Sequence, residues 1–407
     1  MSVNDRQGNT RLHFPHLKSL VDLEKSVTPA LKGLYRFRQP EQAVTAGTLR
    51  HVIHELVPHP STPTTFLDTV NQFTDVPFPD TLHPLDQVDV HLVLQGGVGD
   101  TTFNSMPSNL FSRIEVHVGG QVKQTITDLD QWMDRVLYQD PWEHARHAVS
   151  TLYDADSAGV DTGYEIGVME ASDLIRIPIS SYLTKCGVSP ATCKDEVKLR
   201  FYSQVSTNVL SQAVTVKDLK IKAREVRGDD AALQAISQPH LDARFLQSSI
   251  EEKTWSFTAG AEINWTLNNF SKDHLCSHMW LFIRDADLSG AKRDKMHNDK
   301  ISAAWLEDQS NQNMTNGIQA KAQELLYINY PDKFTSTANN KQGVYLIYCP
   351  ATDPVSDYRN GTMSGAQPLV ENMKLKIKAA ATGSFHCTVV AMCHKHFRAQ
   401  KGEHLIQ

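Results

Sequence analysis

Asn109 to Tyr138, NLFSRIEVHVGGQVKQTITDLDQWMDRVLY, is the stretch whose reading decides the fold. Ile114, Val116 and Val118 alternate with Glu115 and His117, the two-residue period of a strand with one face in a core. Gly119-Gly120 can take the positive φ that a two-residue hairpin turn needs, and Val122 to Ile126 can run back as the partner strand. The period then changes. Leu129, Trp132, Met133, Val136 and Leu137 fall at i, i+3, i+4, i+7 and i+8, one apolar stripe of a helix. Thr127 stands at the N-cap with Asp130 three residues on, a capping box built with the shorter acid.

Outward from this stretch the pattern is mostly strand. Val52 to Val57 reads as a strand stopped by Pro58, and a loop rich in proline and threonine is expected from there to about Pro84. Val88 to Leu94 is the next strand, ended by Gly96-Gly97. Residues 139–173 read as a long acidic loop, with eight acids against Arg146 alone, a net of 1 − 8 = −7. Strands resume at Leu174 to Ser180, Val197 to Phe201 and Val214 to Val226. Gly228 to Gln247 breaks the pattern. It then restarts with Trp255 and Phe257, Ile263 to Leu267 and Met279 to Ile283. A polar region from Asp285 to about Asn340, with a helical turn near Ala320 to Leu326, precedes Val344 to Cys349, Met373 to Ala379 and Phe385 to Phe397. Antiparallel strands at this spacing predict sandwiches or jelly rolls. The expected layout is an arm at 1–47, a first β domain at 48–228, a linker at 229–249, a second β domain at 250–400 and a tail at 401–407.

Composition narrows the function. A chain of 407 residues with 40% hydrophobic and 21% charged residues has enough apolar material for two cores. A net charge of −6 argues against a surface built throughout to grip nucleic acid. The first forty residues are different, with seven bases against three acids, a net of +4, and a short amphipathic helix expected around Leu20, Leu23 and Val27. No basic-then-apolar leader opens the sequence and no apolar run reaches the roughly twenty residues that span a bilayer, so cytoplasmic synthesis is expected. The six cysteines are then expected as thiols, and none is spaced CxxC.

No motif for chemistry is complete in the sequence. His54-Glu55-Leu56-Val57-Pro58-His59 is HExxxH, which lacks the one-turn spacing of a zincin. Asp285, Asp287, Ser289 and Gly290 begin like a calcium loop, but Met296 stands where a bidentate Glu is required. His394 and His396 share a strand face, while Cys387 and Cys393 lie on the other, and two ligands do not make a metal site. Gly96-Gly97-Val98-Gly99 lacks the Lys-Ser/Thr of a phosphate loop. Trp255, Trp265 and Trp280 could stack on a sugar, yet each sits in a strand pattern where core packing is the default. No catalytic, cofactor or metal residue is assigned, and no enzyme is expected.

Leu110, Ile114, Glu115, Val116, Val118, Gly119, Gly120 and Gln121 followed by Trp132 resemble the first roll of double jelly-roll major capsid proteins. That lineage covers adenovirus hexon, tailless phages and large eukaryotic DNA viruses. Two further stretches keep the family's order: Pro239 to Gln247 between the rolls, and Val344 to Pro350, Ser364-Gly365 and Leu369 to Leu375 in the second roll. The aromatic and Arg of the family's second-roll motif are missing here. The resemblance is colinear from about residue 48 to 397 and implies an all-β chain of two tandem antiparallel jelly rolls with a short N-terminal arm. It also implies a structural virion protein: a homotrimer that tiles an icosahedral shell beside neighbouring capsomers and minor or penton proteins. The basic arm would face an internal membrane or other inner components, the acidic loop at 139–173 would face outward, and no sequence-specific nucleic acid would be bound. The competing class is a carbohydrate-binding β-sandwich, such as a viral spike, which an aromatic platform flanked by carboxylates would favour. A weaker third option is a metal-dependent cupin-type enzyme.

Overall fold

The computed structural model describes residues 2–4, 10–12, 50–96, 105–138, 153–154, 165–166, 174–228, 242–270, 272–288, 300–314, 344–400 and 403–406. The expected helix near Leu20, the turn near Ala320 and Gly97 to Gly99 lie outside these residues. So does the acidic loop, apart from one short strand pair. Strands β1 (Ser2–Asn4) and β2 (Thr10–Leu12) pair with each other. The first roll is made of β3 (Arg50–Leu56), β4 (Phe73–Phe78), β5 (Leu85–Gly96), β6 (Phe111–Val118) and β7 (Gln121–Thr127). After the two-residue strands β8 (Tyr153–Asp154) and β9 (Glu165–Ile166), it is completed by β10 (Leu174–Pro178), β11 (Val197–Ser203) and β12 (Val214–Arg227). One sheet runs β10-β5-β12-β3 and the other β4-β11-β6-β7, the crossed order of a jelly roll. Val90, Leu92, Ile177 and Ile221 of one sheet share a core with Val76, Ile114, Val116 and Phe201 of the other.

The second roll repeats the plan. Its strands are β13 (Asp242–Phe257), β14 (Glu262–Thr266), β15 (Leu275–Asp285), β16 (Ile301–Glu307), β17 (Val344–Tyr348), β18 (Gln367–Pro368), β19 (Lys374–Ala379) and β20 (Gly383–Gln400). The sheet β13-β20-β15-β17 corresponds to β3-β12-β5-β10, and β14-β19-β16 corresponds to β4-β11-β6. β13 begins at Asp242, inside the stretch read from sequence as a linker. Within the stretch read as a tail, β21 (Glu403–Ile406) pairs with the end of β20.

The hairpin that opened the sequence reading forms as expected. Gly119 and Gly120 sit at φ 58° and 79° between β6 and β7. Thr127 accepts from the Asp130 amide and the Asp130 carboxylate accepts from the Thr127 amide, closing the capping box of helix α1 (Asp128–Met133). A π-type turn, Asp134–Tyr138, continues it. The two glycines are unequal. A Cβ on Gly119 would lie 2.9 Å from an Asp195 carboxylate oxygen, whereas one on Gly120 meets nothing within 4 Å. Gly119→Val is therefore expected to cost about 2–4 kcal/mol, from strain plus crowding, and Gly120→Val about 1–3 kcal/mol from strain alone. Urea denaturation of both variants checks this, and equal midpoints would contradict the ordering.

Two expectations need correction. The loop expected up to Pro84 contains β4, FTDVPF, which among the described residues pairs with β11 alone. Its Pro77 is tolerated because an edge strand can place proline where no ladder bond is lost. The polar region after Asp285 contains β16, ISAAWLE, whose alanines weaken the strand signal but which pairs with β19 from Ile301 to Glu307. Two short helices add to the expected elements: α2 (Tyr182–Lys185) and α3 (Pro354–Asn360), the latter capped by the Asp353 side chain.

Candidate assembly interface

The α1 stripe does not pack into its own roll. Leu129, Trp132, Met133, Leu137 and Tyr138 join Met106 against the outer face of the second roll's β13-β20-β15-β17 sheet, on Leu246, Trp280, Phe282, Leu346, Val390 and Met392. Trp132 meets Phe282 edge-on, with ring centroids 5.6 Å apart at 89°. That sheet is thus apolar on both faces, since Met279, Leu281, Ile283, Val389 and Ala391 fill the roll interior. Alternation is dropped in its strands: MWLFI (Met279 to Ile283) within β15 and VYLIY in β17 are unbroken runs of apolar and aromatic residues, as strands buried on both sides tend to be.

A polar network runs through this junction. The Trp280 indole donates to the Tyr138 hydroxyl at 2.8 Å, and that hydroxyl lies 2.5 Å from His278 Nε2. His278 Nδ1 is 3.0 Å from Ser277 Oγ, which donates to Asp357 Oδ2 at 2.9 Å. A bulge between Cys276 and His278 lets Ser277 and His278, neighbours in sequence, join one network. Burial drives the His278 pKa down to about 3, so the imidazole is neutral, although Asp357 pulls the other way. Burial would raise the Asp357 carboxyl, but the nearby His394 and the bonds from Ser277, Thr362 and Ser364 hold it below its ordinary value. From α3, Tyr358 stacks on Tyr138 at 3.8 Å and donates to Asp134, while Arg359 donates to the Tyr138 carbonyl. Burial raises the Asp130 carboxyl against bonds from Ser248 and Thr127.

A second contact ties the rolls together near the C-terminus. Phe245, Phe397 and Ala399 of the second roll join the first roll's core. Tyr182 of α2 packs on Phe397, and its hydroxyl lies 3.3 Å from Nδ1 of the buried His404 in β21.

The matching sheet face of the first roll is built differently. On the outer side of β10-β5-β12-β3, Lys220 and Lys222 pair with Glu55, Arg224 and His51 with Asp86, and Arg176 with Asp89. Ile53 stands 67% exposed among them. The strand β12, VTVKDLKIKAREVR, alternates accordingly.

The residues weighed for chemistry come apart. His54 pairs with Glu225 at 2.6 Å, and Glu55 faces the opposite side. Asp285 ends β15, while Ser289 and Gly290 lie outside the described residues. His394 lies 3.8 Å from Asp357 at the junction, and Cys387 and Cys393 point into the roll core. All six cysteines are free thiols, and no group of three metal-ligating side chains forms among the described residues. Trp265 and Trp280 are buried and Trp255 packs on Trp265. An aromatic pair that the sequence did not single out, Phe73 and Tyr202, lies on the outer face of β4-β11-β6-β7. Its charged neighbours pair with one another. Arg200 covers Phe73 and Arg113 covers Tyr202, Asp75 is taken by Lys198 and Arg200, and Glu115 by Arg113, His117 and Tyr202.

No family model matches the chain, and no curated protein matches it in sequence. Solved structures do. The chain is similar to PBCV-1 VP54, in the crystal structure fitted into a reconstruction of the virophage Sputnik, with a TM-score of 0.62 at 14% identity over 89% of this chain and 98% of that one. It is similar to the Faustovirus major capsid protein, with a TM-score of 0.60 at 8% identity over 93% and 97%. A chain of the Sputnik virophage structure aligns with a TM-score of 0.52 at 11% identity over 90% and 89%. With both rolls aligned almost end to end, the chain has the double jelly-roll fold of viral major capsid proteins.

Proposed function

We propose that this chain is a viral major capsid protein, a non-enzymatic building block that trimerises and tiles an icosahedral shell. The observation that carries the reading is the roll-to-roll contact. A segment of the first roll seats on one particular sheet face of the second, and the corresponding face of the first roll carries the exposed Ile53 among its ion pairs. A head-to-tail contact repeated between equivalent units closes into a ring when its rotation permits. Two rolls per chain would place six rolls in a ring of three chains, a block with nearly hexagonal outline. The contact between chains would then be polar, in contrast to the apolar one within the chain.

In this reading the block sits with neighbouring capsomers and minor capsid proteins in the virion, its basic arm inward and its acidic 139–173 loop outward. On the Phe73–Tyr202 face the carboxylates Asp75 and Glu115 are paired with Lys198, Arg200, Arg113 and His117, which does not favour the glycan-binding alternative. Negative-stain electron microscopy of the purified full chain at rising concentration tests the proposal. Hexagonal blocks associating edge to edge are expected; isolated elongated two-lobed particles at every concentration would contradict it. The polar contact also predicts that raising NaCl from about 0.05 to about 1 M, which shortens the screening length from about 14 Å to about 3 Å, weakens self-association, which sedimentation velocity would detect.

A further inference from the structure

We infer that the two buried Tyr–His contacts between the rolls form an acid-sensitive latch, which holds the rolls together at neutral pH and releases them on acidification before either roll unfolds. In both contacts the tyrosine comes from the first roll, Tyr138 and Tyr182, and the histidine from the second, His278 and His404. The hydrogen bonds at His278 have one consistent direction. Trp280 donates to Tyr138, so the tyrosine proton points to His278 Nε2. Ser277 donates to Asp357, so the His278 Nδ1 proton points to Ser277. Only the neutral imidazole fits this chain. A proton on Nε2 would face the tyrosine proton and force it to turn away into a buried site with no acceptor of its own. His404 reaches the same result by another route: with Nδ1–H donating to the Tyr182 hydroxyl, the neutral ring leaves Nε2 without a proton, and that nitrogen has no hydrogen-bond partner among the described residues, so protonating it would bury an unpaired N–H.

The charged and titratable neighbours do not supply compensation. Around His278 they are Cys276 on its own strand, Asp357 and Arg359 on α3, His394 on β20, Cys349 after β17 and Tyr138 from the first roll. Asp357 favours the imidazolium, but its oxygens are already engaged by Ser277, Thr362 and Ser364, and His394 opposes it. Around His404 they are Tyr182, Lys123 and Asp195, with Lys123 disfavouring and Asp195 favouring the charge. Burial thus lowers His278 to about 3 and His404 to about 4 in the closed chain.

The sign follows from linkage. Opening the junction returns each histidine toward an ordinary value of about 6.5, so the open state binds more protons below that pH. The latch is fully effective above about pH 6.5. It weakens as pH falls toward about 4 and 3, by up to about tenfold in the opening equilibrium per pH unit per histidine. Asp130, raised by burial in the same junction, acts in the opposite sense and offsets part of this.

Hydrogen exchange measured by mass spectrometry on the full chain at pH 7.5 and 5.0, corrected for intrinsic exchange rates, tests the latch. Asp128–Tyr138 and Glu403–Ile406 are expected to lose at least tenfold in protection at pH 5.0, while β6, β11 and β19 keep theirs. Equal loss in the roll cores, or no loss at the junction, would overturn the inference. The wild-type result stands whether or not variants fold. If the double variant H278Q/H404Q folds, its uncharged amides should abolish the difference between the two pH values; an unchanged difference would overturn the assignment to these histidines.

Discussion

Replacing Gly361 by alanine is expected to destabilise the chain by about 2–5 kcal/mol, combining left-handed strain with a backbone collision. Gly361 ends α3 at φ 63°, with its amide donating to the Asp357 carbonyl. A Cβ there would lie 2.0 Å from the Arg244 carbonyl oxygen. Arg244 cannot retreat, because β13 is held to β20 along its whole length, Arg244 opposite His396. Nor can α3 tilt away freely, since Asp357, Tyr358 and Arg359 all bond into the junction. The substitution should therefore loosen the roll-to-roll contact as well as the helix. A urea midpoint for Gly361→Ala equal to wild type would show that this backbone approach is absent.

The second large effect is expected at Trp132. Truncation to alanine removes a buried indole from the apolar patch between the rolls, and such changes cost about 3–5 kcal/mol. Trp132 touches the second roll at Phe282 while belonging to the first, so the loss should fall on roll docking. Calorimetry of Trp132→Ala should resolve two transitions where wild type shows one. Trp255, half-buried beside Trp265 at the far end of β13, serves as the control, and its alanine variant should keep a single transition. A single unshifted transition for Trp132→Ala would mean that the helix contributes nothing to docking.

The same helix shows how far the sequence could be read. Its apolar stripe, capping box and Gly-Gly turn depend on local backbone rules, so they were legible residue by residue. What the stripe covers was not, because an amphipathic period says that a face is buried and leaves its partner open. One signal for the partner was available. Strand β12 alternates lysines with apolar residues, whereas Met279 to Ile283 of β15 and all of β17 run without alternation, and that difference marks the sheet buried on both faces. The junction's polar network left no comparable trace, since Tyr138, Ser277, His278, Asp357 and His394 are brought together by tertiary pairing and a bulge. β4 and β16 were missed because edge strands can carry proline and small residues that central strands rarely do. The residues with candidate chemistry serve other ends: His54 and Glu55 lie in ion pairs, Cys387 and Cys393 in a core, and His394 at the junction.

Two rolls joined in this way are expected to form a unit that closes as a trimer. Native mass spectrometry of the full chain at micromolar concentration and low salt tests it most directly. One chain has a mass of 45.6 kDa, so the account predicts a dominant species at 3 × 45.6 = 136.8 kDa. A species at 45.6 kDa alone would contradict it.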